Sequence, residues 1–409
     1  MALRRNGRRH KPYGSALSLL LVLIAAQTVS SASTWVDGIR VPKGYRIVQR
    51  HRVVSGVSHL ALRRRGPDEI VHVARVDHGL LDQLRVLLSN GRVSGPTPRT
   101  ERTTSMCKRA RCLVAINGDF FTEAGAPVGG LIDGGRPLRS PIDSRPHFSI
   151  GRTGALRLGK LEMNATLTTS YSTLINGLLG VRQSSEQRVT TIQGLNTTRS
   201  GDRIILYTPR FGPTTETRGG TEITARLVTP AGGITTGVPT AIEFVSSRSG
   251  GSSIPSDGVV LSGQGDGASA LSALWRDVTA GLADRRATLT VSMTPDVVEG
   301  VAGKPVLVRD GERVTRSKSR RDARTMIGWN ERGDLLLVTV DGMQRGRSVG
   351  MSVIEGANLM RALGAVYAMN LDGGGSTTFV LRGRLMNRPS SSSHHERRVA
   401  VAVAIVPSA

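Results

Sequence analysis

Two short segments place an amide and a carboxylate two residues apart at the end of an apolar run. They read "AINGDFF" and "AMNLDGG" and share the pattern Ala-x-Asn-x-Asp. Because side chains two apart in a β-strand point to the same face, Asn117 and Asp119 are expected to lie together. The same holds for Asn370 and Asp372. Burying such groups costs free energy unless they find partners, so the repeated pattern indicates a site, although an Asx turn explains one copy equally well.

A glycine run follows the second pair. Gly373, Gly374 and Gly375 have no Cβ, so their backbone N–H groups can come close to a ligand oxygen. Successive exposed N–H groups form an anion-binding nest, and three hydroxyl residues beginning at Ser376 add further donors. The run matches neither a Walker motif nor a dinucleotide fingerprint. It therefore predicts a phosphate-binding turn of another kind.

The first 32 residues have the layout of a secretory signal peptide. A basic segment without acidic residues precedes an apolar run of 15 residues, and small residues from Ser30 to Ala32 offer a cleavage site. The run is short for a spanning helix, although an uncleaved anchor stays open. We expect a secreted or extracytoplasmic protein of the cell envelope, with no transmembrane helix after cleavage.

The composition is strongly basic. The formal net charge is +24 and aromatic residues make up only 3% of the chain. This charge fits attraction to phosphate-bearing polymers, and a generally arginine-rich proteome explains it equally well. Basic residues are not interleaved with aromatic ones as in single-strand binders, so nucleic acid is not expected as a partner.

The predicted strands and helices that must position these residues indicate an α+β fold. This fold would have mixed or antiparallel sheets, few helices and many hairpins. Residues 34–110 form an N-terminal portion with a strand at "IVHVARVD" and a helix at "LLDQLRVLLS". Residues 111–406 form the main domain. Its middle consists of short strands joined by glycine-containing turns, interrupted by a helix at "ASALSALWRDVTAGLA".

The pattern is clearest in residues 323–380. A hairpin is predicted at "RTMIGWN" and "DLLLVTV", with Asp341 directly after its second strand. A helix follows at "SVIEGANLMRALG", where Ser352 and Glu355 have capping-box spacing and Gly364 occupies the expected C-terminal position. The segments "AVYAMN" and "STTFVL" are predicted as strands around the glycine turn.

Cys107 and Cys112 are predicted to form a disulfide that closes a small basic loop, because an exported protein with an even cysteine count usually pairs them. No histidine with ligand spacing lies near them, which disfavours a metal site there. His394 and His395 stand in a polar tract that is more typical of a solvated loop than of a metal site.

An ordered series of motifs resembles the phosphodiester glycosidase family. The series runs "AINGDFF", "GGLIDGG", "IPSDGVVLSG", "ARTMIGW", "LLLVTVDGM", "GMSVIEGANLMRALGA", "AMNLDGGGSTTFV", "NRPS" and "ERRVA". It covers about residues 110–406 and is strongest over 323–380. The resemblance implies hydrolysis of a sugar-1-phosphodiester at the glycosidic C–O bond. The products would be a free sugar, such as N-acetylglucosamine, and a phosphomonoester.

The resemblance also transfers individual positions. Those that match the family's motifs are Asn117, Arg324, Thr325, Asp341, Glu355, Asn370, Asp372, Gly373, Gly374 and Ser376. Asp119 stands where many members have glycine, so the resemblance assigns it no role. The segment "RRVAVAVAIV" replaces the family's usual Arg-x-Ala-Asn-Ala run, which removes an amide.

These residues divide into catalytic and substrate-binding candidates. Asp341 and Asp372 are the leading catalytic carboxylates and Glu355 the third, because an oxocarbenium-like transition state and an attacking water both need one. Arg324 and the glycine N–H groups are expected to hold the phosphate. Asn117, Thr325, Asn370 and Ser376 are further substrate-binding candidates. Capping explains Glu355 equally well, and a surface ion pair is the alternative for Arg324.

The sequence requires no cofactor, although Asp341 and Asp372 are compatible with a divalent cation. The predicted function is an exported hydrolase acting on a phosphate-containing envelope or extracellular glycan. Two alternatives stay open. One is a non-catalytic binding module for anionic cell-wall polymers, and the other is a phosphodiesterase that cleaves the P–O bond. Sugar, aglycone and oligomeric state are not predicted.

Overall fold

A computed structural model describes most of the chain after the predicted signal peptide. The described residues are 34–94, 99–177, 180–229, 233–316, 318–391 and 393–407, with side chains described outside 173–184. The predicted signal peptide lies outside them. No helix in these ranges combines the length and the apolar character that crossing a bilayer requires.

The described residues form mainly β-strands. In chain order the first fifteen are β1 Thr34–Val36, β2 Ile39–Val41, β3 Arg46–Val54, β4 Val57–Arg64, β5 Glu69–Val76, β6 Leu84–Leu88, β7 Glu101–Arg102, β8 Val114–Asn117, β9 Leu131–Asp133, β10 Arg136–Arg139, β11 His147–Gly151, β12 Leu156–Gly159, β13 Glu162–Gly177, β14 Gly180–Ile192 and β15 Gly194–Leu195.

The remaining strands are β16 Ile204–Tyr207, β17 Thr221–Leu227, β18 Thr240–Arg248, β19 Gly258–Gly263, β20 Ala283–Thr294, β21 Val297–Ala302, β22 Val306–Arg309, β23 Glu312–Arg313, β24 Arg324–Asn330, β25 Leu335–Val340, β26 Ala365–Asn370, β27 Phe379–Leu381, β28 Arg384–Leu385, β29 Arg398–Val399 and β30 Val401–Ile405. The α-helices are α1 Thr103–Ala110, α2 Asp266–Thr279 and α3 Val353–Ala362. Short 3-10 helices occur at His78–Gln83, Ser89–Gly91 and Gly374–Ser376.

Two of the sheets position the candidate site. The central sheet has the strand order β28-β27-β8-β30-β6. The helix-backed sheet has the order β23-β22-β26-β24-β25-β5-β4-β3, and α3 packs against one of its faces. A five-stranded sheet (β10-β9-β21-β11-β12) and the long-hairpin sheet (β14-β13-β20-β18-β17-β19-β16-β15) complete the larger sheets. The sheet-rich architecture is therefore confirmed, and among the described strands only β15 and β16 pair in parallel.

Strands from both ends of the chain share these sheets. β5 pairs with β25 in the helix-backed sheet, and β6 pairs with β30 in the central sheet. Residues 33–409 accordingly form one compact unit. Its largest apolar cluster joins side chains of the central and helix-backed sheets, including Val403, Phe379 and Ile327. Full burial of each such side chain contributes about 1.5–3 kcal/mol.

The helix predicted at "LLDQLRVLLS" is wrong. The segment begins as a 3-10 helix, His78–Gln83, and continues as β6. Leu84, Val86 and Leu88 are buried at alternate positions, while the residues between them are half-buried. The segment adopts the strand period because the backbone of β6 pairs with β30. This tertiary pairing overrides the high helical propensity of leucine.

Most other predicted elements are confirmed. β24 and β25 form the expected hairpin, and α2 occupies most of its predicted segment. Ser352 and Glu355 make the capping box at the start of α3, and Gly364 follows its end with a φ of +94°. The long antiparallel pair β13 and β14 was not separated from its neighbours by sequence, because its serine- and threonine-rich strands show weak periodicity.

The disulfide between Cys107 and Cys112 is confirmed. The intervening residues are not the basic loop that was expected, because Cys107 lies inside α1. The helix ends where Arg111 adopts a left-handed φ of +54°, which returns the chain towards β8. The bridge thus fixes the entry into the strand that carries Asn117.

Candidate active site

Strand ends from both sheets meet at one edge of the molecule. In the helix-backed sheet β26 ends at Asn370, opposite Met326, while β24 begins at Arg324, opposite Val340. In the central sheet β8 ends at Asn117. Antiparallel neighbours place the end of one strand beside the start of the next. The terminal residues of strands that are far apart in sequence therefore lie together at this edge.

Asn117 joins the two sheets at this edge. Its side chain is fully buried, and its Nδ2 donates to the carbonyl of Asp372 at 2.7 Å. Its Oδ1 accepts from the Thr325 hydroxyl at 2.7 Å and from the Thr378 N–H at 3.1 Å. With three bonds to three segments, Asn117 positions the turn after β26 and leaves Oδ1 little capacity for a ligand.

Asp119 lies beyond the end of β8 and is paired with a buried arginine. Its Oδ1 is 3.1 Å from Arg145 Nη1, and its Oδ2 accepts from the Gly129 N–H at 2.6 Å. Burial raises the pKa of Asp119 to about 6, although the Gly129 N–H and Arg145 act against that shift. The negative charge of Asp372 also raises this pKa, which shows that the two carboxylates interact electrostatically.

His147 lies close to this pair and was not predicted from sequence. It is 1% exposed, and neither ring nitrogen has a hydrogen-bond partner within the described residues. Burial lowers its pKa to about 4, and the positive charge of Arg145 acts in the same direction. His147 is therefore neutral at pH 7 and offers both a donor and an acceptor.

Asp372 is the more accessible of the two carboxylates. It is half-buried, and its N–H donates to the Gly118 carbonyl at 3.0 Å. Burial raises its pKa, whereas the nearby Ser376 hydroxyl, Arg397 and the Gly373 N–H lower it. The carboxylate therefore stands among donors and positive charges with a route to solvent.

The glycine turn is held mainly by internal bonds. Gly374 has a φ of +58°, and its N–H donates to the Ala323 carbonyl at 2.9 Å. The N–H groups of Ser376 and Thr377 donate back to the carbonyls of Gly373 and Gly374. A Cβ on Gly373 would lie 2.8 Å from the Ala323 carbonyl oxygen. Close packing thus explains Gly373, and the left-handed φ explains Gly374. The anion-nest role of the turn stays a prediction.

Arg397 lies beside the third glycine and was also missed from sequence. A Cβ on Gly375 would be 3.8 Å from Arg397 Cδ. The guanidinium carbon lies 5.5 Å from the centre of the Phe121 ring, a cation–π distance. Arg397 is exposed and also lowers the pKa of Asp372. It is therefore a cation placed to meet an anionic ligand beside that carboxylate.

Asp341 occupies a closed pocket after β25. Its Oδ2 accepts from the Arg388 N–H at 3.3 Å and lies 3.6 Å from Arg347 Nη2, while Oδ1 has no partner among the described residues. Burial raises its pKa to about 6, against the effects of Arg388, Arg347 and Asn387. Asn387 in turn donates to the Thr377 carbonyl at 3.0 Å. Asp341 therefore reaches the glycine turn through one intervening side chain.

Two predicted substrate-binding residues use side-chain donors for hydrogen bonds within the protein. Asn370 Nδ2 donates to the carbonyls of Lys304 and Leu371, at 3.0 and 2.6 Å. Arg324 Nε donates to the Met351 carbonyl at 2.8 Å, and Nη2 donates to the Ser319 hydroxyl and to the carbonyl of residue 320. Both side chains shape the edge of the site. Phosphate binding by Arg324 stays a prediction.

Glu355 lies at the first turn of α3. Its carboxylate accepts from the Ser352 N–H at 2.9 Å and forms an ion pair with Arg321. Burial acts to raise its pKa, but Ser352 and Arg321 outweigh that effect and the pKa is lowered. The capping interpretation therefore accounts for the contacts of Glu355.

The structure gathers Asn117, Thr325, Asp372, the glycine turn and Ser376 into one cluster and adds Asp119, Arg145 and Arg397. The sequence signal for Asp119 was the repeated Asn-x-Asp pattern. Arg145 and Arg397 carried no local signal, because their proximity is created by the fold. In the described part of the chain, no three or more His, Cys, Asp or Glu side chains are arranged to hold a metal ion.

This edge of the two sheets thus combines an accessible carboxylate, the group on which glycoside hydrolysis depends, with an exposed arginine. A model of the family described as phosphodiester glycosidase matches residues 229–406. The resemblance seen in the motifs is thereby confirmed for this part of the chain, which includes the glycine turn and the strands that carry it.

Curated relatives match over a shorter stretch. The N-acetylglucosamine-1-phosphodiester alpha-N-acetylglucosaminidases of Mus musculus and Homo sapiens are each 46% identical over 68 residues. That stretch is 17% of this chain and 13% of each relative. The Bos taurus enzyme is 40% identical over 88 residues, 20% of this chain and 16% of the relative. The chain therefore matches only a small part of the length of these enzymes.

Solved structures support the fold over most of the chain. A hypothetical protein from Synechocystis has a TM-score of 0.63 at 22% identity, covering 89% of this chain and 68% of that one. A protein from Burkholderia pseudomallei has a TM-score of 0.59 at 23% identity, covering 83% and 74%. The architecture thus extends beyond the family match into the N-terminal part of the chain.

Proposed function

We propose that this protein hydrolyses a sugar-1-phosphodiester at the glycosidic C–O bond. The observation that carries the proposal is the half-buried carboxylate of Asp372 beside the exposed Arg397 and the glycine turn, within the segment that matches the family. A carboxylate next to a cation suits a substrate whose reacting carbon gains positive charge while its leaving group is a phosphate.

The proposed step adds water across the bond between the anomeric carbon and the phosphate oxygen. The water oxygen bonds to the anomeric carbon, and the C–O bond electrons leave with the phosphate oxygen. One proton of the water passes to a carboxylate and then to solvent. The products are a free sugar and a phosphomonoester. Because a phosphate monoester is a good leaving group, one well-placed carboxylate can serve without a separate general acid.

The contacts rank the three candidate carboxylates. Asp372 is the leading catalytic residue, since it is accessible and surrounded by donors. Asp341 is fully buried with one oxygen unpartnered, which suits a base that acts on a water entering from the site. Glu355 ranks last, because its carboxylate is engaged by Ser352 and Arg321.

The substrate-binding assignments divide by accessibility. Arg397 and the backbone at Gly375 are proposed to meet the phosphate, because the arginine is exposed beside the glycine. Buried Arg145 is proposed to stabilise the negative charge of Asp119, with which it forms an ion pair beneath the site. Asn117 and Thr325 act as positioning residues, because their side chains hold each other at 2.7 Å.

The proposed setting is outside the cytoplasm, on an envelope or extracellular glycan. The signal-peptide pattern, the disulfide and the basic composition support it. N-acetylglucosamine is the proposed sugar because the mammalian relatives are named for it. A divalent-cation site at Asp341 and Asp372 stays a prediction.

The first experiment incubates the purified mature chain with UDP-N-acetylglucosamine and with an N-acetylglucosamine-phospho-mannoside, with and without divalent metal. We expect release of free N-acetylglucosamine by the parent and at least a thousandfold slower release by Asp372→Asn. Reaction in ¹⁸O-labelled water should place the label on the sugar. Label on the phosphate would replace the proposal with P–O cleavage, and absence of turnover on a panel of such diesters would favour the binding-module alternative.

A further inference from the structure

A basic groove opens next to the candidate site. Its volume is about 720 Å³, and its lining includes Arg99, Phe121, Arg397 and Arg398. This volume falls in the range of sites that hold small molecules. Glu123 is the acidic residue of the lining, so the groove carries an excess of positive charge.

A pair of like charges stands at one side of this groove. β7 and β29 form a two-stranded antiparallel ribbon in which Arg398 lies directly opposite Arg102. Side chains at opposed positions of such a ribbon are close neighbours, and like charges there are destabilising. The arrangement therefore costs free energy in the absence of an anion and would be relieved by one.

Few carboxylates compensate these cations. Arg99 lies 3.4 Å from a Glu216 oxygen. Within the described residues, by contrast, no ion pair involves Arg102, Arg397 or Arg398. Arg398 Nη1 donates instead to the carbonyl of Thr100 at 3.1 Å. Three neighbouring arginines thus make no close ion pair in the described part of the chain, and their positive charge is available to an anionic ligand.

The groove adjoins the candidate site through Arg397. Arg397 lines the groove and also packs beside Gly375, within the electrostatic reach of Asp372. Its guanidinium covers the face of the Phe121 ring. A ligand phosphate held at the glycine turn would therefore be followed, along the groove, by further cationic positions.

We propose that the arginine groove, lined by Arg99, Arg397 and Arg398 and flanked by Arg102, binds a second phosphate of a polymer with repeating phosphodiester groups. The inference rests on the proposed function and names its substrate class: an anionic glycan polymer, in place of a single small diester. The Phe121 face is already covered by Arg397. With Phe121 as its one aromatic residue, the groove lining does not form the series of aromatic platforms on which the bases of single-stranded nucleic acid stack.

The test uses poly(glycerol phosphate) as the probe and compares two double variants of equal charge. Arg102→Gln/Arg398→Gln alters the groove and leaves Arg397 in place. The control, Arg248→Gln/Arg285→Gln, changes exposed arginines of the long-hairpin sheet. Binding is measured by fluorescence anisotropy at low and moderate salt, and hydrolysis of the small diester UDP-N-acetylglucosamine is measured in parallel.

We expect the groove variant to bind the polymer about tenfold more weakly than the parent, with the salt dependence reduced, and the control variant to lose less than twofold. Hydrolysis of the small diester should be unchanged in both. Equal weakening in the two variants would overturn the proposal in favour of general charge attraction. Equally tight, Arg102- and Arg398-dependent binding of single-stranded DNA would also overturn it. Failure of the parent to cleave the small diester contradicts the proposed function alone, because polymer binding is scored independently.

Discussion

The two Asn-x-Asp segments have the same pattern and opposite surroundings. In the first, Asn117 binds three separate segments and Asp119 is closed off by Arg145. In the second, the Asn370 amide donates to the carbonyls of Lys304 and Leu371, while Asp372 is half-buried beside the exposed Arg397. The first segment is built as support and the second as the accessible group.

This difference shows that two copies of one motif can have different roles, one in supporting the site and one in presenting an accessible carboxylate. Asn117 donates to the carbonyl of Asp372, so the first copy directly fixes the backbone of the second. The negative charge of Asp372 in turn raises the pKa of Asp119, so the two carboxylates also interact electrostatically. Variants at matched positions of the two copies should therefore fail in different ways.

The largest contrast is expected at the carboxylates. Asp372→Asn should lower kcat/KM by more than about a thousandfold, because the developing charge at the anomeric carbon loses its carboxylate. Its melting temperature should stay within about 3 °C of the parent, since a half-buried amide replaces a half-buried acid. Steady-state kinetics and calorimetry check both. A large fall in melting temperature would make Asp372 a structural residue like Asp119.

Asp119→Asn should act mainly on stability. It leaves the buried Arg145 without its counter-charge, which is expected to lower the free energy of unfolding by about 3–5 kcal/mol in urea denaturation. The double variant Asp119→Asn/Arg145→Gln should recover part of that loss, because no isolated charge remains buried. If the single variant is as stable as the parent, the supporting role assigned to the first copy is wrong.

The two asparagines offer a matched pair. Asn117→Ala should cost about 2–4 kcal/mol of unfolding free energy, since partners in three segments lose bonds, whereas Asn370→Ala should cost about 1–2 kcal/mol. Only Asn117→Ala should also lower kcat markedly, because it releases the turn that carries Asp372. Equal effects of the two substitutions on both quantities would remove the distinction between the copies.

The pH dependence of activity sharpens the comparison further. The pKa values of Asp119 and Asp341 are raised to about 6, and that of Asp372 is raised as well. A raised pKa means that the carboxylate form is lost as the pH falls through that value. We therefore expect kcat/KM to decline tenfold per unit below about pH 6. A profile flat down to pH 4.5 would exclude the buried Asp341 as the base.

The smallest effect is expected outside both copies. Glu355→Gln should lower the unfolding free energy by about 1 kcal/mol, because it weakens the capping box and the pair with Arg321. Its kcat/KM should fall far less than that of Asp372→Asn. Thermal denaturation and kinetics on the same preparations decide this. A loss comparable to that of Asp372→Asn would return Glu355 to the catalytic set.

Sequence reasoning predicted the elements whose signals are local. The hairpin ending before Asp341, the capped helix α3 and the disulfide are each specified by residues close in the chain. The strand at Leu84–Leu88 was missed because its leucines fit both periods, and only pairing with β30 decides between them.

The same limit applies to the site. The Asn-x-Asp repeat predicted that amides and carboxylates would lie together in a site. It did not predict which of the two carboxylates would be buried and which would be accessible. That depends on Arg145 and Arg397, which reach the cluster from other parts of the chain. Both arginines approach the carboxylates only in the folded protein, and no periodic pattern in a single sequence indicates such an approach.

The order of strands in the central sheet has a consequence for biosynthesis. β30 lies between β6 and β8, and Ala402 pairs with Asn117. While a ribosome is still translating the segment before residue 401, the emerging polypeptide exposes two unpaired strand edges. Such edges are templates for aggregation and for chaperone capture. The asparagine that fixes the carboxylate turn thus gains its full setting only after residues 401–405 have emerged, so prematurely terminated chains should be inert and readily degraded.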